Sequence, residues 1–247
     1  MNQLLEQAIQ RRDTWRGTRG HIQPGLFPAG DEQSGQALAS GYRSLDAALC
    51  YGGWPLGNTI ELLSDSSGLG SMGLFLPAME ALSEQARWQA FIAPPFTPYA
   101  PLLAARGIDT QQVLLVHPQN REDLLWSTEQ ALRSGTCSAV FSWLGAAQYS
   151  YGELRRLQLA AAEGDSLAVL FRSQRAAAQH APASLRLLVS AYRQVHILKQ
   201  RGGCQHIDID LPPAEDRPEQ PQLWELPAYT GQHRELPRDQ SKPVVQA

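Results

Sequence analysis

Thr59-Ile-Glu-Leu-Leu-Ser-Asp-Ser-Ser-Gly-Leu-Gly-Ser71 reads as a buried strand, then a Ser/Gly loop, then the start of a helix. That order is where a P-loop sits, because the loop and first-turn N–H groups converge on a phosphate. A working P-loop reads G-x-x-x-x-G-K-[ST]. On that template Ser64 stands at the first glycine, Leu69 at the second, Gly70 at the lysine and Ser71 at the hydroxyl, with Asp65, Ser66, Ser67 and Gly68 in the loop. Only Ser71 matches. The lysine matters most, since it supplies the point charge that neutralises the β- and γ-phosphates.

Phosphoryl transfer also needs an acid at the end of a later strand for the Mg²⁺ shell, and a group to orient the attacking water. The strand Ala139–Trp143 offers Ser142 and Trp143, and the strand Gln89–Ala93 runs into Pro94, Pro95 and Phe96. Neither carries a carboxylate. The expectation is a degenerate loop with no cofactor, no metal and no catalytic residue. A residual nucleotide-dependent enzyme, a weak ATPase holding phosphate by Ser66, Ser67, Ser71 and backbone N–H groups, stays open as an alternative.

Outward from this stretch, strands and helices alternate. Tyr42–Cys50 is a short amphipathic helix and Tyr51–Gly57 a turn. Ser71–Gln85 has helical periodicity but contains Pro77, which predicts a kink or an early stop. Helices follow over Pro98–Arg106, Arg121–Ser134 (N-cap Asn120, stop Gly135) and Tyr151–Glu163 (stop Gly164). Strands are expected at Thr59–Leu63, Gln89–Ala93, Val113–Val116, Ala139–Trp143 and Leu167–Phe171. Apolar strands separated by helices imply βαβ crossovers and a mostly parallel sheet covered on both faces, an α/β fold. Leu185–Val189, Gln194–Lys199 and His206–Leu211 have no helices between them and predict antiparallel strands at one edge.

Three regions result. Residues 1–40 are an N-terminal helix and an extended arm, with Trp15, Ile22, Leu26 and Phe27 as possible anchors. Residues 41–211 are the α/β core. Residues 212–247 hold 7 of the 17 prolines and read as a flexible tail, with Leu223-Trp224-Glu-Leu226 as an apolar island. That island suits either a partner or the chain's own domain.

The net charge of −3 gives no global field for nucleic acid, although 19 of the 21 basic residues are arginine. A GC-rich genome writes the same bias. Arg155-Arg156 and Lys199-Gln-Arg201 are the most basic places, and a weak DNA contact there stays open beside a solvated surface. The 247 residues contain no apolar run long enough to span a bilayer, the first residues lack the pattern that would predict a secretory leader, and three separated cysteines make neither a disulfide scaffold nor a zinc clip. The cytoplasm is the expected compartment. No G-x-S-x-G or H-E-x-x-H occurs, and the six histidines lack metal-ligand spacing. Asp208 and Asp210 project from one strand face, as a metal site or as a solvated face.

Ala39-Ser-Gly-Tyr-Arg-Ser-Leu-Asp-Ala-Ala-Leu-Cys-Tyr-Gly-Gly-Trp-Pro-Leu-Gly-Asn-Thr-Ile-Glu61 resembles the segment leading into the nucleotide site of RecA-type recombinases. Trp15-Arg16-Gly17, Ile92-Ala-Pro-Pro-Phe-Thr-Pro-Tyr-Ala-Pro101, Arg156-Leu-Gln-Leu-Ala-Ala161, Ser184-Leu-Arg-Leu and Lys199-Gln-Arg-Gly-Gly203 resemble the ImuA proteins of damage-induced translesion synthesis. The middle of the chain also resembles the shorter SulA cell-division inhibitors, which bind the tubulin-like FtsZ, through Arg87-Trp88, Ile92-Ala-Pro-Pro95, Ala131-Leu-Arg-Ser-Gly135 and Ser142-Trp143.

The ImuA resemblance implies a RecA-like three-layer core and a non-catalytic adaptor in the SOS response. Its partners would be an ImuB-type Y-family polymerase homologue, RecA and an error-prone replicative-type polymerase, met at the nucleoid during DNA damage. The SulA resemblance implies a division inhibitor that binds FtsZ. The residues expected to meet a partner are Trp15, Arg16, Trp54, Arg155, Arg156, Lys199, Arg201, Leu223, Trp224 and Leu226.

Overall fold

A computed structural model describes residues 37–65, 69–191 and 194–211. The expected N-terminal helix, nearly all of the arm and the tail lie outside these residues. So do Trp15, Arg16, Ser66, Ser67, Gly68, Leu223, Trp224 and Leu226.

In chain order the elements are β1 (Ala37–Leu38), α1 (Arg43–Ala48), β2 (Trp54–Pro55), β3 (Asn58–Leu63), α2 (Leu69–Gly73), α3 (Leu76–Ser83), β4 (Trp88–Ile92) and α4 (Ala100–Ala105). There follow β5 (Val113–Val116), α5 (Arg121–Arg133), β6 (Cys137–Gly145), α6 (Tyr151–Gly164), β7 (Leu167–Arg172), β8 (Leu185–Ala191), β9 (Gln194–Gln200) and β10 (Ile207–Asp210). Eight strands form one sheet in the order β10-β9-β8-β3-β7-β6-β4-β5, and β1 pairs separately with β2. All pairings from β8 to β5 are parallel; β8–β9 and β9–β10 are antiparallel.

Alternating side chains split the interior into two cores. Ile60, Leu62, Phe91, Phe141, Val169 and Leu187 face α1–α4, whereas Ala90, Ile92, Val140, Ala168 and Leu170 face α5 and α6. Strands covered on both sides need apolar residues at successive positions, hence runs such as Ala139-Val-Phe141.

Four expectations change here. The end of the arm and the turn at 51–57 hold a small ladder in which Ala37 faces Pro55 and Leu38 faces Trp54. The helix expected at Ser71–Gln85 is two helices, because Pro77 fits only the first turn of α3, where no N–H is needed. Leu185–Val189 runs parallel to β3 rather than antiparallel at an edge. Gly164 belongs to α6 and does not cap it; Asp165 takes the left-handed turn at φ 45°. A Cβ at Gly164 would stand 1.8 Å from the Leu132 carbonyl oxygen, so glycine is required by the close approach of α5.

The expected cap on α5 forms, and α6 carries one that was not expected. The Asn120 side chain accepts from Asp123 N–H at the start of α5, and Ser150 with Glu153 forms a capping box on α6.

Candidate protein-docking face

The parallel strands present their C-terminal ends along one edge, where an open α/β sheet binds ligands. At β3 this edge holds Ser64, whose N–H donates to the Arg172 carbonyl at 2.9 Å. Asp65 turns away and accepts from Ser173 Oγ at 2.7 Å and Gln174 N–H at 3.0 Å. These two donors hold its carboxyl below the usual range. Ser71 is buried and its Oγ has no hydrogen-bond partner among the described residues. Leu69 and Gly70 open α2, with leucine and glycine where a phosphate loop has glycine and lysine.

At β6, Ser142 points to the α5 side and shares a hydrogen bond with Thr128 Oγ1 at 2.8 Å. Neither Ser142 nor the neighbouring Trp143 is a carboxylate.

One acid near this edge escaped the sequence reading. Glu61, in mid-β3, is fully buried and takes Arg172 Nη1 on one oxygen at 3.1 Å and Arg186 Nε on the other at 2.8 Å. Arg186 also donates to the carbonyls of Ala176 (2.7 Å) and Gln179 (3.0 Å), and Arg172 donates to Gln179 Oε1 (2.8 Å). The β7–β8 crossover carries only a 3-10 turn, Gln174–Ala178, and the two guanidiniums tie it to the sheet where a helix would otherwise pack. With one guanidinium on each oxygen and no exposed surface, Glu61 is tied into the interior of the fold and not presented at the edge. A glutamate inside an apolar strand, with arginines in two later strands, was the available signal.

The same edge is apolar on the α1–α4 side. Trp143 stacks on Phe171 (centroids 4.4 Å apart, planes 9° apart) and on Phe91 (6.0 Å, 16°). Phe141 and Phe75 extend the cluster inward to Trp54. Beyond β4 the chain forms a wall of Pro94, Pro95, Pro98, Tyr99 and Leu102. Between that wall, Met72 of α2 and Trp143 lies a cavity of about 70 Å³, enough for an apolar group to enter. Phe96 (64% exposed) and Tyr99 (51%) stand at its rim. Exposed aromatics beside a preformed apolar pocket have the composition of a protein-binding hot spot. From sequence this segment served for its lack of a carboxylate, for a helix from Pro98 and for resemblance; three prolines and two aromatics directly after a buried strand were the signal for a surface.

The predicted partner-binding residues do not converge on this face. Trp54 is 0% exposed and packs on Phe75 at 4.8 Å, so it is a core residue, not a contact. Lys199 is half-buried and donates Nζ to the Ala181 carbonyl at 2.8 Å, and burial first, then Arg186, lowers its pKa. It is therefore tied into the fold. Arg155 and Arg201 are exposed, while Arg156 is exposed but paired with Glu129. Arg155 and Arg156 lie on α6, far in the chain from Arg201, which follows β9. Among the described residues no acidic, histidine or cysteine cluster could hold a metal. Asp208 instead meets His196 Nδ1 at 2.6 Å across the β9–β10 ladder. No helix among them is long and apolar enough to cross a membrane.

Part of this sequence is similar to known proteins. Residues 60–168 match the family described as cell division inhibitor SulA. The match begins in β3, ends in β7 and includes the whole aromatic wall. The chain is 34% identical to the SulA of Edwardsiella piscicida over 101 residues, which is 41% of this chain and 59% of that one. For Klebsiella aerogenes SulA the values are 29% over 106 residues, 43% and 62%. The chain thus spans about six-tenths of these curated relatives. It is also 30% identical to Protein RecA of Acholeplasma laidlawii over 138 residues, covering 56% of this chain and 40% of RecA. The crystal structure of SulA from Pseudomonas aeruginosa shares 30% identity, covering 46% of this chain and 97% of that one, with a TM-score of 0.38.

Proposed function

We propose that this chain is a non-catalytic, SulA-like and RecA-related docking protein of the SOS response. Its aromatic wall at the ends of β4 and β6 engages a protein partner, first among them FtsZ, the partner implied by the SulA resemblance. The observation that carries this reading is the pairing of the SulA match over 60–168 with exposed Phe96 and Tyr99 beside a preformed apolar cavity. Purified chain should block FtsZ assembly in a sedimentation assay. Phe96→Ala should weaken the block at least about tenfold, as loss of an aromatic hot-spot residue does, with an unchanged melting temperature. Normal assembly at a large molar excess of the wild-type chain overturns the reading.

A second reading, the ImuA-type adaptor of translesion synthesis, is favoured by what lies past residue 168. Arg186, within the Ser184-Leu-Arg-Leu segment that resembles ImuA, is a buried ligand of Glu61, so β8 is integral to the core. Capture of an ImuB-type polymerase homologue, RecA or the error-prone polymerase by the full chain at micromolar concentration supports it. Failure with all three removes it. In both readings the emptied loop at Ser64–Ser71 carries no nucleotide, and calorimetric titration with Mg-ATP should give no binding. Micromolar affinity overturns that. Any DNA contact through Arg155 or Arg201 should be weak and fade with added salt.

A further inference from the structure

The cavity behind Phe96 and Tyr99 has an apolar seat and no occupant in the described residues. Strand directions say which end of the chain can reach it. β10 is antiparallel to β9, which is antiparallel to β8, and β8 through β4 are all parallel. The chain therefore leaves β10 along the same edge of the sheet at which β4 and β6 deliver Ile92 and Trp143. Leu211, the last described residue, packs in the core on the α1–α4 side, together with Met72, Phe91 and Leu103 of the cavity. It shares both edge and face with the cavity.

β6 is five strand steps from β10 and β4 is six. At a strand spacing of about 4.8 Å this is roughly 24–29 Å. Leu223 lies twelve residue steps beyond Leu211, and Pro212, Pro213, Pro218 and Pro221 are among the eleven residues between them. At about 3.1 Å per residue, proline-biased extended chain covers roughly 37 Å. The span suffices without being much too long, the regime in which tethering is most effective. Leu223-Trp224-Glu-Leu226 is the apolar cluster at that distance, and Trp has the large, stiff surface that suits an aromatic and proline-lined pocket.

We propose that Leu223–Leu226 docks in cis on the aromatic wall, with Trp224 seated between Pro94–Tyr99 and Trp143, so that the tail masks the face assigned to the partner. The docking stands on the cavity and the reach; the masking rests on the function proposed above. A partner then has to displace the tail.

The test is amide hydrogen exchange on the full chain, with Trp224→Ala and Phe96→Ala as variants. Phe96 is exposed, so its loss leaves the fold intact. With a tether giving an effective concentration of about a millimolar and a weak apolar contact, Trp224→Ala should speed exchange at 94–103 by roughly tenfold. Strands β3 and β7 should not change. Phe96→Ala should speed exchange at 222–227. A synthetic peptide of residues 219–229 should restore protection to the Trp224→Ala chain.

Equal exchange at 94–103 in wild type and Trp224→Ala overturns the proposal. So does protection lost on dilution alongside a dimeric mass, which would assign the occupant to a second copy. FtsZ assembly measured on the same variants separates the two ideas: if docking holds, Trp224→Ala should inhibit about tenfold better. If docking holds and no form inhibits, the partner is wrong and the docking stands.

Discussion

The two faces of the central sheet hold their covering layers by different chemistry. On the α1–α4 side, Trp54, Phe75, Phe91, Phe141, Trp143 and Phe171 make a continuous aromatic cluster. On the other side, α5 and α6 pack apolar residues on β4, β6 and β7 but are laced together by Arg121–Glu153, Arg133–Glu163 and Arg156–Glu129. Next to them the 3-10 crossover is held by Glu61, Arg172 and Arg186. Apolar packing tolerates rearrangement and can end in an open seat for a partner. A buried charged triad is all-or-none, because removing one member strands the others. The difference places adaptability at the proposed docking face and rigidity behind it.

Predictions that probe this contrast run from the polar face to the loops. Glu61→Ala leaves two guanidiniums unneutralised under the crossover and should cost about 3–5 kcal/mol, read as a lowered denaturation midpoint or as insoluble protein. A loss below about 1 kcal/mol would mean that water already screens the triad. Phe75→Leu keeps an apolar side chain but loses ring contacts, and should cost about 1–2 kcal/mol. If Phe75→Leu matches Glu61→Ala, the aromatic face is as intolerant as the charged one. Arg156→Ala, at an exposed ion pair, should change stability by less than about 1 kcal/mol.

The smallest effect concerns pH. Asp65 has a folded-state pKa below its unfolded value, because Ser173 Oγ and Gln174 N–H favour the carboxylate. Its contribution is complete above about pH 4, near the unfolded pKa, and fades as pH falls through the lower folded value. The Gln174 amide resonance should follow that titration, and Ser173→Ala should move its midpoint upward. A Gln174 amide indifferent to acid would detach Asp65 from the crossover.

Much of this architecture was legible because periodicity and caps are local. Arg121–Arg133 shows its apolar stripe, its Asn120 cap and the Gly135 stop in adjacent residues. The direction of β8 was not legible. Residues 173–184 have no helical period, so the crossover that makes β8 parallel left no trace, and the reason it works is Arg186 meeting a glutamate 125 positions earlier. Trp54 misled for a related reason, since a tryptophan in a Gly-Pro turn looks exposed until Phe75 is placed above it. For the candidate site, the departure of Ser64–Ser71 from a phosphate-loop template could be read position by position. The cavity could not, since Met72, Phe91, Tyr99 and Trp143 come together only through the sheet.

The two margins of the sheet bear on solubility. At one margin β5 offers only four residues, Val113–Val116, and Pro118 follows two residues later. At the other, β10 carries Asp208 and Asp210 on exposed positions, so that a second β10 laid against it would crowd carboxylates together. Brevity and proline guard one border and repulsion the other, so that neither edge of this sheet favours the lateral stacking of copies in a crowded cell.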